Sequence, residues 1–120
     1  MKLTSERYHD LHSAFQKIIS HYGQSKWTQF LPDLIIIHDP SEGIMGEFHD
    51  ETEEIILNIA RCNKMSQTIN TMIHEYQHYL QPRNGWYDRH FKNGHTYDSH
   101  PYEIEANEIA ARDWKLFVDG

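Results

Sequence analysis

The sequence is poor in several things, and each shortage excludes something. It has a single cysteine, Cys62, so no intrachain disulfide can form and a reducing compartment is expected. No apolar run approaches the roughly 18 residues that a membrane-spanning helix needs. The N-terminal MKLTSERYHD has no apolar segment behind its lysine, which speaks against a secretory signal. These features point to the cytoplasm and to no membrane partner. Basic residues are scarce: 11 Lys and Arg against 18 Asp and Glu give a formal net charge of −7. Generic nucleic-acid binders present a basic surface, so no nucleic-acid partner is expected. The one loose basic cluster, Arg83, Arg89 and Lys92, reads as a solvated loop. There are no repeats and no low-complexity tracts. With 120 residues, 38% hydrophobic and 24% charged, the chain has the composition of one globular domain with a modest core. Oligomeric state is left open.

What is present reads as an α+β domain spanning residues 1–120. Residues 5–22 carry Tyr8, Leu11, Phe15, Ile18, Ile19 and Tyr22 at helical spacing, with Ser5 as the expected N-cap and Gly23 as the stop. DLIIIHD, 33–39, is short, β-branched and bounded by Pro32 and Pro40, the pattern of a buried strand. Apolar runs at 44–49 and 54–59, around the polar 50–53, predict a hairpin. SQTINTMIHEYQHYL, 66–80, predicts a second long helix, capped by Ser66 and stopped by Pro82. The aromatic and histidine-rich stretch 83–100 reads as a loop. A last helix is expected to begin near Pro101, a residue favoured just inside a helix start. The expected order is α-β-β-β-α-loop-α, with a small three-stranded sheet.

Within the second long helix lies HEYQH: His74, Glu75 and His78. His and Glu each account for ten of the 120 residues, so spacing alone yields about 0.07 such triplets by chance. A helix turns about 100° per residue, so positions four apart share a face and both imidazoles can reach one ion. Glu75, one step round, is placed to contact a water on that ion without being a ligand. Zinc lowers the pKa of such a water to about 7, and the carboxylate can take its proton.

A catalytic zinc needs a third protein ligand and an open position. A metzincin continuation is ruled out by Gln81 and Asn84, which stand where Gly and His would be needed. The last helix offers Glu103, with Ala106, Asn107 and Ala110 on the same face. The alanines allow a close approach to the HEYQH helix. Asn107 is placed to hydrogen-bond a liganding imidazole or to orient Glu103. Glu105 points about 200° away from Glu103 and is the less favoured acid. The loop histidines His90, His95 and His100 are the other candidates. Hydrolysis of a peptide passes through an oxyanion that a Tyr or His donor can stabilise. Among Tyr87, Tyr97 and Tyr102, Tyr97 is the expected donor. Gly46, on the first hairpin strand, either admits a substrate backbone or marks a bulge.

HEYQH followed by EIEANEIAA resembles the gluzincin zinc peptidases, in which an HExxH helix is completed by a glutamate on a later helix. The tail, Glu-x-x-Ala-Asn-x-x-Ala, is similar to that of the small intracellular ImmA/IrrE-type metallopeptidases. The element order also resembles minigluzincin and SprT-like domains. The resemblance covers about residues 44–112. It implies a single zincin-like domain with His74, His78 and Glu103 as zinc ligands and Glu75 as general base. A SprT-like site would use a loop histidine instead of Glu103. The small size fits a phage- or mobile-element-encoded protein.

The expected function is therefore that of a zinc metallopeptidase acting on a peptide or protein. The edge strand of the hairpin would pair with the extended substrate. The alternative is a zinc-binding interaction module, non-catalytic or latent, that docks on a host or repressor protein.

Overall fold

The computed structural model describes residues 1–83 and 85–118, with Trp86 described by its backbone alone. Asn84 lies outside the described residues. The first helix, α1, runs over Ser5–Tyr22, the span its periodicity predicts. Its N-cap is Thr4 and not Ser5: Thr4 is extended, and its hydroxyl accepts from the Arg7 backbone at 3.1 Å. Gly23 ends the helix at φ 81, a left-handed value that suits glycine. Leu11, Ala14, Phe15 and Ile18 are its buried stripe. Tyr8, expected inside, is half exposed and lies against the His12 ring.

Three strands follow: β1 (Asp33–Ile37), β2 (Gly46–His49) and β3 (Glu54–Asn58). The sheet order is β1-β3-β2, with β1 parallel and β2 antiparallel to the central β3. β2 and β3 form the expected hairpin, and β2 is an edge. β1 and β2 are shorter than their apolar runs, and Asn58 explains why. Its side chain is almost fully buried. It accepts from the Asp39 backbone at 3.0 Å and donates to the carbonyls of Asp39 at 2.9 Å and Ile44 at 3.3 Å. These backbone groups are thereby satisfied by a side chain at the sheet's end, outside the strand ladders.

The second helix, α2 (Met65–Leu80), starts without the expected Ser66 cap. Its N-cap is Lys64, and no side chain caps it. Residues 83–100 are not all loop, because Trp86–Lys92 form a short helix, α3. Tyr87 and Phe91, four residues apart, stack on each other and on His100. α4 (Pro101–Asp113) begins where expected, with Pro101 at its start and the His100 ring as N-cap. A 3₁₀ turn, Trp114–Phe117, closes the described chain. The fold is α+β, with four helices and a small mixed sheet. Among the described residues, no helix is long and apolar enough to cross a membrane.

The core lies around α2. Ile69, Met72, Ile73, Tyr76 and Tyr79 meet Leu11, Phe15 and Ile18 of α1 and Ile55 and Leu57 of β3. Each buried aliphatic contributes about 1.5–3 kcal/mol. Arg83 belongs to this framework and not to a solvated loop. It pairs with Glu53 in the hairpin turn and lies over the rings of Phe48 and Tyr79.

Gly46 is not a bulge, since it pairs in regular register with Leu57, and its lack of a side chain serves the contact with α2. A Cβ there would stand 2.7 Å from Thr71 Cγ2, 3.1 Å from the Ile56 carbonyl oxygen and 3.3 Å from Glu75 Cγ. Its missing side chain lets β2 lie directly on α2. Gly46→Ala is expected to cost about 1–3 kcal/mol, seen as a lower urea midpoint. Adding Thr71→Ser should recover part of the loss, because Cγ2 is the nearest obstacle.

The ends of α1 and α4 are joined by Asp113, which accepts from the Tyr22 hydroxyl at 2.6 Å and pairs with Arg112. Arg112 and the Tyr22 hydrogen bond outweigh burial and lower the Asp113 pKa to about 2. The lowered value means the carboxylate stabilises the fold above its unfolded pKa of about 3.9. That contribution is lost as pH falls toward 2. Asp113→Asn is expected to cost about 1–2 kcal/mol at neutral pH, with the gap in melting temperature closing between about pH 4 and pH 2.

Candidate metal centre

α2 carries His74 and His78 on one face, and their ring centroids are 4.9 Å apart in an edge-on pair. α4 packs against this helix. Ala106 and Ala110 are fully buried, and their small side chains permit the close contact. Glu103, one turn before Ala106, is thereby pressed against the two rings and is 3% exposed. Its Oε1 stands 2.9 Å from His74 Nε2 and 2.8 Å from His78 Nε2, and the two ring nitrogens are 3.2 Å apart. Among the described residues, His74, His78 and Glu103 are the one group of His, Cys, Asp or Glu side chains close enough to hold a metal ion.

The other candidates lie elsewhere. Glu105 faces away and accepts from Gln81 Nε2 at 3.1 Å. His100 is fully buried but both its nitrogens are committed: Nε2 donates to the Tyr87 carbonyl at 2.9 Å, and Nδ1 accepts from the Tyr102 backbone at 3.1 Å. His90 packs against the rings of His95, His100 and Tyr102. His95 Nδ1 lies 3.3 Å from the Ser99 hydroxyl. Asn107 is exposed and bonds none of the three ligand candidates, because α4 turns it out of the interface.

Two other residues do the work expected of Asn107. The Tyr87 hydroxyl donates to Glu103 Oε2 at 2.5 Å, leaving Oε1 toward the histidines. Gln81 Oε1 stands 2.7 Å from His78 Nδ1. Tyr87 was masked by the reading of 83–100 as a loop. Gln81 did carry a signal, since positions three apart on a helix are neighbours.

The electrostatics favour a cation at this point. Burial would raise the Glu103 pKa, but hydrogen bonding with His74, His78 and Tyr87 outweighs it and holds the carboxyl far below its usual range. Burial opposes charge on His78, yet Glu103 and the nearby Glu75 carboxylate raise its pKa. The group fits a metal ion by distance as well. Two ligand atoms on one tetrahedral divalent ion, each about 2.0–2.1 Å from it, stand about 3.3 Å apart. The separations here are close to that and slightly tighter.

Glu75 lies beside this group without belonging to it. It is 6% exposed, and burial raises its pKa against the opposing pull of His78 and His74. A cavity of about 570 Å³ opens above it, with Glu75, His78 and Glu103 at the base and Gly46, Glu47 and Phe48 of β2 along one side. Tyr97 also lines the cavity and is half exposed. Burial of part of its ring and the carboxylates of Glu103 and Glu75 push its phenol to about 12, so it is a neutral donor at ordinary pH.

No protein-family profile, curated protein or solved structure matches this chain. The site therefore stands on its own geometry. Elemental analysis of tag-free protein is expected to find about one divalent ion per chain. Glu103→Ala and His74→Ala should abolish it, while Glu105→Ala and His95→Ala keep it bound.

Proposed function

We propose that this protein is a zinc-dependent metallopeptidase of gluzincin type, built on a zincin-like domain. The observation that carries the reading is the convergence of His74, His78 and Glu103 on one point beside a buried carboxyl, Glu75, that is not part of the group. Two imidazoles and one carboxylate form a donor set of catalytic zinc sites, which leave a position open to water or substrate. Glu75, His78 and Glu103 line the cavity, which would give substrate access to a metal held there. Zinc bound there would supply Lewis acidity toward a scissile carbonyl and toward water.

The chain's own residues supply the rest. Glu75, with its pKa raised by burial, is suited to take a proton from the attacking water and hand it to the leaving amine. Tyr97 donates its phenolic hydrogen to the oxygen on which negative charge develops. Tyr87 is already committed to Glu103 and holds that carboxylate in place. β2, at the sheet edge and along the cavity, offers its unpaired side to an extended peptide by strand addition. The substrate class is thus an extended or unfolded segment of polypeptide, and the setting is intracellular, as the single cysteine favours.

Glu75→Gln is expected to keep the metal and to lower hydrolysis of a fluorogenic peptide library by roughly 100-fold or more. Unchanged turnover in that variant would remove Glu75 from the mechanism. Failure of the zinc-loaded wild type to cleave any peptide or denatured protein would replace the peptidase with a zinc-holding interaction module.

A further inference from the structure

Gln81 is the C-cap residue of α2, with an extended backbone at φ −73 and ψ 157. Its backbone N–H still bonds to the carbonyls of Gln77 at 3.0 Å and His78 at 3.3 Å. This anchors the residue while its side chain, 6% exposed as a residue, turns back onto the His78 ring. The side-chain amide has three partners. Nε2 donates to the Tyr102 carbonyl at 2.9 Å and to Glu105 Oε1 at 3.1 Å, and Oε1 faces His78 Nδ1 at 2.7 Å.

These partners leave one orientation for the amide. A carbonyl and a carboxylate can only accept, so the NH2 group must face them and the amide oxygen must face His78. That oxygen can only accept in turn, so His78 Nδ1 carries a proton. The partner of one ring nitrogen decides the state of the other. In the neutral ring the lone pair then sits on Nε2, aimed at Glu103 Oε1 and His74 Nε2. At 2.8 Å from the Glu103 carboxylate, that nitrogen needs either a second proton on the ring or a metal ion between the two acceptors.

We propose that Gln81 is the positioning residue of this metal centre, acting through His78 and through α4. It selects the tautomer in which His78 is a ligand. It also ties the ring of the second ligand to the first turn of α4, because Tyr102 and Glu105 flank Glu103. One amide therefore sets both the donor atom on α2 and the placement of the carboxylate on α4. The inference rests on the metal reading above and adds a residue to it that never touches the ion.

The test is zinc affinity of the full chain, measured by competition with a fluorescent chelator. It is paired with the Nδ1–H resonance of His78 in the zinc-loaded protein and with thermal unfolding. Gln81→Leu is expected to weaken zinc binding by roughly 10–100-fold, with the His78 Nδ1–H signal lost to exchange and the helical circular dichroism retained. Gln81→Met removes the same amide at nearly the same side-chain length. It should weaken zinc binding over the same range. Wild-type affinity in Gln81→Leu overturns the inference and leaves the metal centre standing. Absence of zinc binding by the wild-type chain overturns the metal reading itself, and this inference with it. Should Gln81→Leu not fold, Gln81→Met decides: wild-type affinity in a folded Gln81→Met chain would refute the positioning role.

Discussion

The closeness of α4 to α2 governs the rest of the molecule's chemistry. Ala106 and Ala110 are fully buried on the helix that packs against α2, and their small side chains permit the close approach. One turn earlier the same approach drives the Glu103 carboxylate between two imidazoles. A buried carboxylate is costly unless it is paired and hydrogen-bonded. Here both oxygens are used, Oε1 by the histidines and Oε2 by Tyr87. The helix contact is thus what turns three residues distant in the chain into one cation site.

Placing donors so tightly requires that they be held from behind. His78 is held by Gln81, and Glu103 by Tyr87. Both supports come from the segment between α2 and α4, which is itself secured by the buried His100. That ring caps α4 and bonds the Tyr87 carbonyl. A histidine that the sequence offers as a candidate ligand is instead the post on which the Glu103-bearing helix begins. His100 has both ring nitrogens taken by backbone groups, whereas His78 keeps Nε2 turned toward the other candidate ligands.

The sheet contributes from the other side. Gly46 lets β2 lie against Thr71 and Glu75, so the edge strand runs beside the proposed general base and along the cavity. Arg83 ties the hairpin turn to α2 through Glu53 and stacks on Phe48 and Tyr79. The hairpin is therefore fastened to α2 at both ends.

Much of this was legible in residue order, because local periodicity and short-range spacing carry it. The apolar recurrence in 5–22 delimits α1 to the residue, the polar 50–53 marks the hairpin, and Pro101 marks the start of α4. HEYQH puts two imidazoles on one face of a helix wherever that helix lies, and Glu103 with its two alanines marks a second face able to meet it. Other features depend on partners far along the chain, and no local pattern encodes them. Asn58 shortens two strands by bonding to residues 14 and 19 positions before it. α3 persists through ring contacts with His100. Gln81 completes its bonds only when Tyr102 and Glu105 arrive from α4, more than twenty residues later. Packing likewise brings Glu103, and not Glu105 or the loop histidines, against His74 and His78. Spacing names the groups able to bind an ion, but only the docked helices decide which atoms meet within ligand distance of one another.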